Sequence, residues 1–137
     1  MILLGVDLGD RRVGFAVSDE EERLAVPSGF APVKNLDDAL AAVLAKAETE
    51  RAELIVLGNP LNMDGRPGPK SKEAQHFRDM LVEAGREVAL WDERLTTTEA
   101  TRLLKDAGLN RRKRKTLIDA NSAQRLLESH MEFRRRQ

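Results

Sequence analysis

The chain has 137 residues, 41% of them apolar, with 23 basic and 23 acidic side chains and no cysteine. That is long enough for one domain with a proper core. It leaves no disulfide or zinc–thiolate site and fits a reducing compartment such as the cytoplasm. No apolar run reaches the roughly 18 residues of a membrane span, and the first residues lack the pattern of a secretory signal.

The zero net charge hides an asymmetry. Residues 1–101 hold 12 Lys and Arg against 19 Asp and Glu, a net of −7. Residues 102–137 hold 11 against 4, a net of +7. An acidic centre with a basic C-terminal region suits a polyanionic partner. The blocks Arg111-Arg112-Lys113-Arg114-Lys115 and Arg134-Arg135-Arg136 favour nucleic acid over a merely solvated tail.

In chain order, Met1 to Leu8 and Val13 to Val17 flank a short polar turn and predict a β-hairpin. Asp7 stands inside the first apolar run, where a carboxylate is costly unless it is paired or binds a cation. Gly5, Gly9 and Gly14 clear side chains around it, as close approach to a ligand requires. After a charged turn at 19–23, Leu24 to Val33 predicts a third, Pro-interrupted strand near an edge.

Asn35 and Asp38 have capping-box spacing and open a helix through Glu50, with Leu36, Leu40, Val43, Leu44 and Ala47 on its apolar face. Glu53 to Gly58 is a central strand covered on both faces. Asn59 to Pro69 is a Gly/Pro/Asn-rich loop, long enough to suggest function. A helix over Ser71 to Ala84, closed by Gly85, leads to a strand over Glu87 to Asp92. Thr96 and Glu99 start a helix to Ala107, closed by Gly108. The basic run follows, and Thr116 opens a last helix to Phe133.

This order predicts an α/β fold with a five-stranded mixed sheet. Three N-terminal strands are antiparallel, two further strands run parallel to the first, and helices cover both faces. Asp7, Gly58-Asn59-Pro60 and Asp92-Glu93 then fall on one sheet edge, outside the carboxyl ends of the parallel strands, where such folds bind ligands.

Strand alternation sends Asp92 and Glu93 to opposite sides, so one of them faces Asp7. Asp119, three residues after Thr116, fits a helix cap and a catalytic role about equally. Asp64 reads as a turn residue, and His76 and His130 as ordinary helix residues. Carboxylates without His or Cys suit a hard cation, Mg²⁺ or Mn²⁺. Two such ions would clamp the attacking and leaving oxygens of a phosphodiester, with the basic segment on the phosphate backbone.

Four stretches closely resemble the YqgF/RuvX family: Gly5-Val6-Asp7-Leu8-Gly9 through Val17-Ser18-Asp19, Gly58 through Pro69, Asp92-Glu93-Arg94-Leu95-Thr96-Thr97, and Ile118-Asp119-Ala120. These are small bacterial proteins regarded as Holliday junction resolvases and as nucleases maturing the 5′ end of pre-16S rRNA. The resemblance spans nearly the whole chain. It implies a ribonuclease H-like fold over residues 1–137, with Asp7, Glu93 and Asp119 as the catalytic, metal-holding acids and Asp92 as a neighbour. Two departures stand out: Asn59, where the family usually has an aliphatic residue, and the polar Asn121-Ser122-Ala123-Gln124-Arg125 in the last helix.

The expectation is a cytoplasmic, Mg²⁺- or Mn²⁺-dependent endonuclease, monomeric or homodimeric, acting on pre-rRNA. Arg94, Arg111, Arg112, Lys113, Arg114 and Lys115 would position the strand. Three rivals remain: a resolvase of branched DNA, a nucleic-acid-binding module with vestigial carboxylates, and an ATP-binding domain of the actin or sugar-kinase type. The last also reads Asp-x-Gly in a first hairpin, but it uses two such domains and needs a longer chain.

Overall fold

Two apolar runs separated by a three-residue turn form the hairpin at the centre of the molecule, β1 (Leu3–Leu8) and β2 (Arg12–Ser18). The computed structural model describes residues 1–93 and 111–136, and for 111–121 the backbone only. The remaining elements are β3 (Ala25–Pro32), α1 (Leu36–Glu50), β4 (Leu54–Asn59), α2 (Pro69–Glu83), β5 (Glu87–Asp92) and α3 (Arg111–Arg135). The predicted helix over 96–107 lies outside the described residues.

The strands form one sheet in the order β3-β2-β1-β4-β5. β1, β2 and β3 are antiparallel, and β4 and β5 run parallel to β1, as expected. Prolines 27 and 32 sit in β3, an edge strand, where a missing N–H can face outward.

Period-two alternation divides the core. Leu4, Val6, Val13, Phe15, Ile55 and Leu57 face α1 and α2, packing on Val43, Ala47, Phe77 and Leu81. Leu3, Ala16, Leu54 and Val56 face α3, packing on Ala123, Leu126, Leu127 and Met131. Burial of the Val, Leu, Ile, Phe and Met side chains among these stabilises by about 1.5–3 kcal/mol each.

The cap of α1 is as predicted: Asp38 N–H donates to Asn35 Oδ1 at 2.8 Å, and Asp38 Oδ2 accepts from Lys34 N–H at 3.0 Å. α2 starts two residues earlier than Ser71, on Pro69, which has the backbone angle a first helical position needs.

The start of α3 corrects the sequence reading. The helix begins at Arg111, so the basic run forms its first turns and Thr116 lies in its interior. Arg and Lys are strong helix formers, and nothing in Arg111–Lys115 stops a helix. A capping role for Asp119 against Thr116 is therefore removed. The second basic block is also reassigned, because Arg134 Nε pairs with Glu22 at 2.6 Å. Arg135 donates to the Glu22 carbonyl and Arg136 pairs with Glu132. Arg134 and Arg135 thus tie the end of α3 to the β2–β3 turn.

Candidate active site

β1, β4 and β5 end on one edge of the sheet, in the register Val6↔Leu57, Gly58↔Trp91 and Asn59↔Asp92. Asp7, one residue beyond Val6, is level with Gly58 and half-buried. It shares the face of Gly5 and Leu3, which is the α3 side.

Glu93 follows β5 directly and projects over β4 toward Asp7. Its carboxyl lies on the backbone of Gly58, where a methyl would collide with Oε1 and sit 2.7 Å from Cδ. With Glu93 in this position, only glycine leaves room for its carboxyl. The Glu93 carboxyl hydrogen-bonds Asp7. Burial first, then the Asp7 charge and that bond, then Asp92, push its pKa up to about 9. Between Asp92 and Glu93, the residue that meets Asp7 is Glu93, and Asp92 acts on it more weakly through charge.

Near neutral pH and without a cation, the Asp7–Glu93 pair therefore retains a proton, shared in the hydrogen bond between the two carboxyls. Two half-buried carboxylates in hydrogen-bond contact do not both ionise readily unaided. An oxygen-rich pair that favours positive charge is what a divalent hard cation requires, so the residues present fit Mg²⁺ or Mn²⁺. Among the described residues no three acids or histidines form a complete metal set. Arg94 and the side chains of Asp119, Arg111, Arg112, Lys113, Arg114 and Lys115 lie outside the described residues.

Gly5 and Gly9 serve other ends than the one predicted. A methyl at Gly5 would stand 2.8 Å from the carbonyl oxygen of Ala123, so this residue lets the α3 backbone close on the sheet. Gly9 turns the hairpin, its N–H donating to Arg12 O at 2.9 Å. The glycine that opens the site is Gly58, whose role depends on β4 lying between β1 and β5. Its signal in the sequence was an apolar strand ending in Gly.

Asp64 is a turn residue as expected, its Oδ1 accepting from Arg66 N–H at 2.9 Å. His130 is buried edge-on against Trp91, with ring centroids 4.9 Å apart, and is part of the α3 packing.

The RuvX family model, described as Holliday junction resolvase, matches residues 1–133. A Syntrophomonas wolfei protein named "Putative pre-16S rRNA nuclease" is 39% identical over 133 residues, covering 96% of this chain and 94% of that one. Thermus thermophilus RuvC in complex with a Holliday junction substrate superposes with a TM-score of 0.56 at 18% identity, covering 96% of each chain. The fowlpox virus Holliday junction resolvase gives 0.57 at 17%, covering 96% of this chain and 99% of that one. The two structural likenesses show a ribonuclease H-like fold, and the sequence matches show a nuclease family. The chain belongs to the RuvX family.

Proposed function

We propose that this chain is a divalent-metal-dependent endonuclease that hydrolyses phosphodiester bonds, with precursor 16S rRNA, at its 5′ end, as the substrate. The observation that carries this reading is the half-buried, hydrogen-bonded Asp7–Glu93 pair over Gly58, at the edge where parallel strands present ligands. Asp7 and Glu93, with Asp119, would hold Mg²⁺ or Mn²⁺. When bound, such ions polarise the phosphoryl oxygens and supply hydroxide near neutral pH.

The backbone supports including Asp119. α3 meets Gly5 at Ala123, and its carboxyl-terminal end stands with Met1 and Leu54, where β1 and β4 begin. Toward its amino end the helix thus runs in the direction of Asp7. Position 119 is four residues, about 6 Å, further along. Arg94 and the basic first turns of α3 would grip the backbone of the substrate strand on that edge. The relative's name favours pre-16S rRNA. The family description and the RuvC complex favour a four-way DNA junction as the second reading. A cytoplasmic site of action accords with either substrate.

The test is to incubate the protein with Mn²⁺ or Mg²⁺ and labelled rRNA precursor, linear duplex or four-way junction. Cleavage of the precursor, lost in Asp7→Asn, is the expected result. Preferential cutting of the junction would select the second reading. Binding without cleavage of any substrate would make the chain a nucleic-acid-binding module.

A further inference from the structure

We propose that Asn59 is a positioning residue for Glu93, acting through a side-chain clasp with Ser71. The proposal rests on the metal-dependent reading above. Asn59 ends β4, and its backbone carbonyl accepts from Glu93 N–H at 3.3 Å and from Leu61 N–H at 3.0 Å. Its side-chain Oδ1 accepts from Ser71 Oγ at 2.6 Å. Ser71 is fully buried in the first turn of α2, and its Oγ in turn accepts from Gln75 Nε2 at 3.2 Å.

One residue therefore ties three elements together. Its side chain anchors the end of β4 to α2, and its backbone carbonyl carries that anchorage to the first residue after β5. Gly58 beside it is the surface on which the Glu93 side chain lies. A strand end that shifts carries both supports of Glu93 with it. Strand ends otherwise fray, and a buried hydroxyl without an acceptor is costly enough to hold Asn59 in one rotamer.

The experiment measures Mn²⁺ binding by calorimetry in the absence of substrate, for wild type, Asn59→Leu, Ser71→Ala, the double variant, Asp7→Asn and Val43→Ala. Val43 is buried in α1 and serves as a destabilised control remote from the site. Each single clasp variant should raise the Mn²⁺ dissociation constant at least fivefold. The double variant should add nothing further, because either change already opens the clasp. Val43→Ala should bind as wild type despite a lower melting temperature. In cleavage assays, half-saturating Mn²⁺ should rise in Asn59→Leu while turnover at saturating Mn²⁺ is largely kept.

Wild-type Mn²⁺ affinity in both Asn59→Leu and Ser71→Ala, with binding lost in Asp7→Asn, would overturn the positioning role and leave the metal reading intact. Loss of affinity in Val43→Ala equal to that in the clasp variants would reduce the clasp to general stability. No Mn²⁺ uptake by wild type would remove the metal reading and this inference together.

Discussion

Glu93 crosses the intervening strand to hydrogen-bond Asp7, and it can do so because residue 58 beneath it is glycine. Three adjacent strands thus each contribute one part: a carboxylate from β1, bare backbone from β4, and a second carboxylate from the end of β5. A side chain at position 58 would separate the two acids without touching the core on either face.

Gly58→Ala follows from this arrangement. The added methyl displaces the mobile end of Glu93 rather than backbone, so the fold should survive with a melting temperature within a few degrees of wild type. Misplacement of a reacting group by about 1 Å costs on the order of 10²-fold in rate. A loss of cleavage of that size, measured beside an unchanged circular dichroism spectrum, is expected. Near wild-type cleavage would show that Glu93 does not work from this position.

The pH dependence of the metal-free protein is set by the same pair. Glu93 is raised from an ordinary 4.5 to about 9, so the native state holds a proton that the unfolded state has released. Its stabilising effect is complete below about pH 4.5 and is lost as pH climbs toward 9. His130 works in the other direction, since burial first, and the nearby Arg134 second, lower its pKa and make stability fall below about pH 6.5. Between pH 7 and 9 Glu93 acts without it. Melting temperature in EDTA should decline over that range in wild type and stay flatter in Glu93→Gln. Identical slopes would remove the coupled pair.

Asp119 separates capping from chemistry more cleanly than the sequence suggested, because α3 begins eight residues before it. Asp119→Asn should melt like wild type in EDTA and lose nearly all metal-dependent cleavage. Thr116→Ala should change little in either measurement, since position 116 lies in the interior of the helix rather than at its start. Near wild-type cleavage by Asp119→Asn would leave the acidic set to be completed by Asp92.

The basic first turns of α3 are assigned to binding. Replacing Arg111, Arg112, Lys113, Arg114 and Lys115 with Gln keeps helix propensity and removes five charges. Affinity should fall, and the salt slope should flatten by about 0.7–0.9 for each phosphate that is no longer neutralised. Turnover at saturating substrate should persist. A collapse of turnover at unchanged affinity would place this segment in the chemistry.

Much of the fold was legible because its elements carry strong local signals. The apolar hairpin, the Asn35 cap and the two crossover helices determine the strand directions, and these bring the ends of β1, β4 and β5 together. Asp7 betrayed itself as a charge in an apolar strand. What escaped depends on partners remote in sequence. Gly5 looks like a ligand glycine until α3 is placed on it, and Gly58 looks ordinary until Glu93 is placed over it. Arg134 reads as a free cation, although Glu22, more than a hundred residues earlier, neutralises it. Thr116 and Asp119 imitate a helix start, but the basic residues before them already form helix.

Joint binding of a divalent cation by Asp7 and Glu93 is tested by the melting temperature of wild type and of Asp7→Asn across a Mn²⁺ titration at pH 7.5, because a ligand of the native state stabilises by mass action. A rise of several degrees at millimolar Mn²⁺ is expected in wild type, with little or none in Asp7→Asn. An equal rise in both proteins would place the ion elsewhere and contradict joint binding.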